Sequence, residues 1–256
     1  MIDLHTHILP DWDDGAADQA EAEQMIAVAL EDGIFKIVLT PHVYRMTKRG
    51  HDLEGLTGRV RAFLKQSKAF EIELFAGAEV YIHPGMIQNI KKYGLTVNGS
   101  NYVFIELPAE HVPGGMTTLV FEMMLDGLIP IISHPERNAV FAQTPEILYE
   151  LIRQGAIGQV TSQSIMGGFG RKTRKVAEGF LRHRLVHLIA SDAHNAETRP
   201  PRLAEAVEIA AKIVGPTRAE AMVTTVPAAI LGNEQIPDLG EPVSPTKKNK
   251  LHFLIR

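Results

Sequence analysis

Short apolar runs recur along this chain, and each ends on a residue able to bind a metal. Met1-Ile2-Asp3-Leu4 runs into His5-Thr6-His7, and Val38-Leu39-Thr40-Pro41 runs into His42. Leu74 to Ala78 ends at Glu79, Phe104-Ile105 at Glu106, and Ile131-Ile132-Ser133 at His134. Leu188 to Ser191 ends at Asp192-Ala193-His194. From His7 the steps are 35, 37, 27 and 28 residues, then 58 to Asp192, two steps of about 29. A strand with its crossover helix takes about 30 residues. The runs are near-continuous rather than alternating, as expected of parallel strands buried on both faces. One polar group at each strand end is how a parallel barrel builds a site at its C-terminal face.

Helix signals fall between these runs. Asp18 with Glu21 reads as a capping box opening a helix with apolar face Met25, Ile26, Ala29 and Leu30, stopped at Gly33. Leu53 to Gln66 carries Leu56, Val60, Phe63 and Leu64 on one stripe. Pro84 is expected to start a short helix ending near Gly94, with His83 as a cap. Further helices are expected over Met116–Asp126, from Thr144-Pro145 to Gly155, and over Arg171–Arg182, Arg202–Val214 and Thr217–Thr225. With Ile157–Thr161 as a strand lacking a clear ligand, the expected architecture is α/β, a seven-stranded barrel over residues 1–235. Residues 236–256 turn Pro- and Gly-rich, then basic, and read as a tail rather than a domain, with its end, Lys247 to Arg256, expected to pack on the barrel, a second subunit or a partner.

At 256 residues the chain fits one barrel domain, and 45% apolar with 22% charged residues is ordinary globular composition. The net charge of −4 gives no pull toward nucleic acid or anionic membrane. No cysteine is present, which excludes disulfides, thiolate zinc sites and a thiol nucleophile. No apolar stretch reaches the roughly 20 residues of a membrane span. Signal cleavage would remove the first candidate ligand, so a cytoplasmic location is expected.

His5, His7, His42, His134 and His194, with Asp14, Glu79, Glu106 and Asp192, are the expected ligand set of a multinuclear centre. Imidazoles and carboxylates without thiols suit Mn, Zn or non-haem Fe. A carboxylate ending a buried strand is costly unless paired or metal-bound, which makes Glu79 and Glu106 informative. Asp14 lies in Asp-Asp-Gly, which by itself reads first as a turn. His51, His83, His111, His183, His187 and His252 read as structural or solvated, and Arg171 to Lys175 as a solvated helix face.

His5-Thr6-His7-Ile8-Leu9-Pro10, Asp13-Asp14-Gly15-Ala16, Thr40-Pro41-His42, Gly77-Ala78-Glu79 and Ile105-Glu106 together resemble the polymerase-and-histidinol-phosphatase (PHP) superfamily. Ser133-His134-Pro135-Glu136-Arg137-Asn138, Ala190 to Asn195 and Arg199-Pro200-Pro201 narrow the likeness to the manganese-dependent protein-tyrosine phosphatases of bacterial capsule and exopolysaccharide operons. The resemblance runs from Met1 to about Asn233. It implies a distorted (β/α)7 barrel holding three ions, Mn before Zn or Fe. His5, His7, Glu79 and Asp192 would hold the first, with Glu79 bridging to a second held also by Glu106 and His134. Asp14, His42 and His194 would hold the third, and Arg137 and Arg199 stand where the family binds phosphate. Trp12 occupies a position where a smaller residue is expected.

The reaction expected is hydrolysis of a phosphomonoester by a water activated between close metals. The implied partner is an autophosphorylated bacterial tyrosine kinase of polysaccharide export, and a homo-oligomer is compatible with the chain. Histidinol phosphate, or another small phosphomonoester, is the alternative substrate. A non-catalytic metal-bearing scaffold is the alternative of another class. Amidohydrolases also open with His-x-His, but they typically use a lysine and middle-strand histidines where this chain has Glu79 and Glu106.

Overall fold

A computed structural model of the protein describes residues 1–45, 47, 52–66 and 71–245. The expectations for His51, for His252 and for the basic end of the tail lie outside those residues. The described strands are β1 (Ile2–Thr6), β2 (Lys36–Leu39), β3 (His42–Val43), β4 (Glu73–Ala76), β5 (Glu79–Tyr81), β6 (Tyr102–Glu106), β7 (Ile129–Ile132), β8 (Ile157–Thr161) and β9 (Leu188–Ala190). All pairings between them are parallel, in two ladders ordered β1-β2-β4 and β3-β5-β6-β7-β8-β9. The first ladder meets β9 through a parallel bridge between Thr6 and Ala193, and Asp192 N donates to His5 O at 2.9 Å. The sheet is therefore curled, with helices outside it. Where one strand run was expected from Val38 to His42, and another from Leu74 to Glu79, the chain forms two segments each, interrupted at Thr40-Pro41 and at Gly77-Ala78.

Two buried clusters hold the sheet. The larger joins outward-facing residues such as Ile37, Val103, Ile105, Ile132 and Ile189 to the helices. The smaller fills the inside of the curl with Leu4, Val38, Phe104, Ile131, Leu188 and Ala190, and is closed by Val226 and Ile230. Period-2 alternation carries this inner face from Tyr102 and Phe104 to Glu106, and from Leu188 and Ala190 to Asp192. In β1 the register against β2 slips between Asp3 and Thr6. Such an irregularity re-aims side chains: Leu4 is in the inner cluster, yet the next ring, His5, also lies 4.8 Å from Phe104.

The helices are α1 (Gln19–Glu31), α2 (Leu53–Gln66), α3 (Met86–Tyr93), α4 (Met116–Leu125), α5 (Ala139–Gln143), α6 (Pro145–Arg153), α7 (Ser162–Met166), α8 (Gly170–Arg182), α9 (Ala204–Val214), α10 (Pro216–Ala221) and α11 (Thr225–Leu231). The Asp18 carboxylate caps α1 at the Glu21 amide, while Glu21 reaches back to the Ala17 amide at 2.8 Å. Two helix bounds need correction, and two short helices were not expected. The helix expected over Thr217–Thr225 is two, because Thr224 leaves helical geometry at φ −128° and ψ −78°. Helices α5 and α7, five residues each, are too short for a 3.6-residue period to register. Helix α3 starts at Met86 behind a left-handed Gly85 rather than at Pro84, and His83 does not cap it. Residues 237–245 run back to the barrel, with Val243 N donating to His183 O at 2.8 Å.

Candidate metal centre

Eight of the nine expected ligands are buried, and Asp14 is exposed at the rim. His5 lies inside β1, His7 just after it and His42 on β3, while Glu79 begins β5 and Glu106 ends β6. His134 and Asp192 each stand two residues beyond a strand, at φ 31° and 52°. Left-handed backbone is uncommon away from glycine and concentrates at functional sites. Close approach of the Asp13-Asp14-Gly15 turn needs glycine, because a Cβ on Gly15 would lie 1.9 Å from His7 O.

Glu79 is the hub. Its Oε2 lies 3.3, 3.6 and 3.1 Å from ring nitrogens of His5, His7 and His42, and its Oε1 lies 3.1 Å from His134 Nε2. Asp192 Oδ1 is 3.6 Å from His5 Nε2 and 3.3 Å from His7 Nε2. Asp14 Oδ1 is 3.4 Å from Nε2 of both His42 and His194. His42 Nδ1 also faces Glu106 Oε2 at 3.5 Å.

Burial alone would raise the Glu79 carboxyl, but His5, His134 and His42 hold it well below the usual range. Burial and the nearby Glu79 charge push Glu106 up to about 7. Burial would lower His7, yet Asp13 and Asp192 outweigh it and bring that ring to about 9. His42 is likewise raised against the pull of burial, by Asp14 and Glu79. Burial and the Arg137 charge lower His134 to about 4.

The donor set fits divalent ions. The 3.2 Å separation of His5 Nε2 and His7 Nε2 aims two ring nitrogens at one point. Glu79 Oε2, Glu106 Oε2 and His42 Nδ1 are buried without a hydrogen-bond partner. Three groups bring donor atoms within 4.8 Å of one another: His5, His7 and Asp192; His42, Glu79 and Glu106; and His7, Asp14, His42 and His194. They differ from the expected three-ion division: the first lacks Glu79, the second has His42 in place of His134, and the third adds His7.

Ligation requires neutral imidazoles and ionised carboxylates. In the metal-free protein His7, at about 9, and Glu106, at about 7, hold protons near neutrality. Metal uptake should therefore release protons, and affinity should weaken as pH falls from about 8 to about 6, by about tenfold per unit for each proton displaced. Titration calorimetry with Mn, in buffers of different ionisation enthalpy, measures both effects. An affinity flat across that range with no proton release would contradict this reading.

Several supporting groups were not anticipated. Asp13 Oδ2 accepts from His7 Nδ1 at 2.9 Å and from the His42 amide at 2.8 Å, which turns His7 Nε2 to the centre. Gln159 Oε1 accepts from the His134 amide at 2.9 Å and lies 3.3 Å from His5 Nδ1. The Trp12 indole, buried, donates to His42 O at 3.0 Å and so fixes that strand end. The only signal in the sequence for Asp13 is its place beside Asp14 in the Asp-Asp-Gly turn, and for Gln159 a lone amide among Ile157, Gly158 and Val160.

Arg137 and Arg199 converge on Asp192 Oδ2 at 2.5 and 2.7 Å, and both lie over the Phe169 ring, 4.8 and 5.8 Å from its centroid. A cavity of about 150 Å³ is walled by both arginines with Asp14, His42, Glu106, His134, Asp192 and His194. The arrangement thus pairs an imidazole–carboxylate cluster with the guanidinium forks of Arg137 and Arg199, and Arg45 lines the same space.

The family model for capsular polysaccharide synthesis, CpsB/CapC, matches residues 1–232. The tyrosine-protein phosphatase YwqE of Bacillus subtilis is 34% identical over 256 residues, 98% of each chain. A solved structure from the study of YwqE from Bacillus subtilis and CpsB from Streptococcus pneumoniae, termed metal-dependent tyrosine phosphatases, superposes with a TM-score of 0.86. It is 32% identical, with 95% of this chain and 99% of that one covered. A histidinol phosphate phosphatase from Lactococcus lactis is 15% identical and superposes at 0.53, over 85% of this chain and 93% of that one, a likeness of fold alone.

Proposed function

The chain belongs to the CpsB/CapC family of capsular polysaccharide synthesis, and from that premise we propose that it is a metal-dependent protein-tyrosine phosphatase. The observation that carries the proposal is the shared cavity, where candidate ligands and two arginines face the same space. Its substrate in this reading is a phosphotyrosine-bearing bacterial kinase of capsule or exopolysaccharide production. Counting β2 with β3, and β4 with β5, as interrupted strands gives a (β/α)7 barrel of the PHP type with its site at the C-terminal strand ends. Among the described residues no helix is long and apolar enough to cross a membrane. We place the protein in the cytoplasm, where a homo-oligomer is compatible with the fold.

His5, His7, Glu79 and Asp192 would hold one ion, Glu79, Glu106 and His134 a second, and Asp14, His42 and His194 a third. Manganese is the metal favoured, with Zn and Fe compatible with the same donors. Bound divalent ions would supply Lewis acidity and lower the pKa of water to about 7. The chain's own contribution is positioning and charge. Asp13 and Gln159 orient His7, His5 and His134, and the Gly15 turn brings Asp14 to the rim. Arg137 and Arg199 share Asp192 in this structure, and with that carboxylate engaged by metal their forks would serve the phosphoryl oxygens. The Phe169 ring restricts both guanidinium groups to that side.

The test is turnover of a phosphotyrosyl peptide by the Mn-loaded protein and by Arg137→Ala and Arg199→Ala. Each variant should lose about tenfold or more in kcat/KM, since a charge-assisted hydrogen bond is worth about 1.5–3 kcal/mol. Metal content should stay unchanged. Loss of metal in these variants would make the arginines supports of Asp192 instead, and no turnover by the wild type would end the phosphatase reading.

A further inference from the structure

Arg45 has no part in the ligand set or in the Arg137–Arg199 pair, yet it faces the same cavity. It follows β3 by two residues, and its side chain is 36% exposed. Its Nη1 donates to Glu106 Oε1 at 2.8 Å, and its guanidinium lies 5.2 Å from the centroid of the Tyr81 ring. It also borders an adjoining cavity of about 200 Å³, shared with Glu106, Ser133, His134, Arg137 and Asn138.

The three arginines make the same kind of contact. Arg137 and Arg199 hold Asp192, and Arg45 holds Glu106, so each grips a carboxylate of the proposed ligand set. A partly exposed ion pair contributes about 0–1 kcal/mol, which makes stability a weak reason for the contact. A guanidinium has about five N–H donors in a planar fork. One arm on Glu106 is therefore compatible with another on an anion in the cavity. The Tyr81 ring restricts the side chain, so less freedom is lost on binding.

We propose that Arg45 is a third phosphate-binding arginine, contacting the phosphoryl oxygens of substrate and product from the β3 side while Arg137 and Arg199 approach from the β7 and β9 sides. The proposal rests on the phosphatase reading and adds a specificity residue to it. Three cationic forks around one small cavity favour a doubly charged phosphomonoester over a singly charged diester.

The experiment uses the full chain loaded with Mn, as wild type, Arg45→Ala and Arg45→Lys. Inorganic phosphate is the probe, titrated calorimetrically and as an inhibitor of p-nitrophenyl phosphate hydrolysis, with metal content measured alongside. Arg45→Ala should keep its metal, bind phosphate about tenfold more weakly or worse, and show a larger change in KM than in kcat. Arg45→Lys, which keeps the charge but not the fork, should fall between the two. Phosphate affinity within about twofold of wild type would overturn the proposal, as would loss of metal from Arg45→Ala, which would make Glu106 the true client. The phosphatase reading fails by a different sign, an inert wild type. Calorimetry reads phosphate binding whether or not turnover occurs.

Discussion

Treatment with a chelator is expected to abolish hydrolysis, by about a hundredfold or more, and Mn to restore it more fully than Mg. Five imidazoles and four carboxylates meet at one place, and Glu79 Oε2 alone is within 3.6 Å of three ring nitrogens. Without ions, the ligands neutralise one another through hydrogen bonds and shared protons. Nothing else in the cavity wall would then activate water, because every His, Asp and Glu described there is one of the proposed ligands. Mg keeps its waters and prefers oxygen donors, so an imidazole-rich set disfavours it relative to Mn. The check is elemental analysis and steady-state rates on the same chelated and reconstituted samples. Full activity with less than about one equivalent of transition metal would exclude the metal-centred account.

The clustered imidazoles and carboxylates proposed as ligands were legible because burial makes polar strand ends conspicuous. Glu79, Glu106 and Asp192 interrupt apolar runs where an unpaired charge would be expensive, and the spacing between them follows the crossover unit. Helices with a full apolar stripe, such as Leu53–Gln66, were legible for a similar reason. What stayed hidden depends on contacts distant in sequence. Asp13 reads as a turn residue, and only the fold brings the His42 amide, 29 residues away, to 2.8 Å from it. Gln159 sits on the strand that had no expected ligand, and its value comes from His5 and His134 on other strands. The interruptions that split two strands depend on Thr40-Pro41 and on the close packing of Gly77 against Val38, 2.8 Å from where a Cβ would sit. Trp12, unexpected in size, is accommodated because its indole has a buried acceptor in His42 O.

The second large effect is expected in the choice between aryl and alkyl phosphates. A tyrosine phenolate leaves with a pKa near 10, whereas the alkoxide of histidinol is several units more basic and needs more proton donation. The cavity wall offers arginines and proposed ligands, and no further His, Asp or Glu among the described residues lines it to act as general acid. Such a site stabilises the phosphoryl group well and the leaving oxygen poorly, so it should be steeply sensitive to the leaving group. The direct measurement is kcat/KM on a phosphotyrosyl peptide and on histidinol phosphate, with the same Mn-loaded preparation at the same pH. The account predicts that the peptide is favoured by about a hundredfold or more. Equal or faster turnover of histidinol phosphate would contradict it.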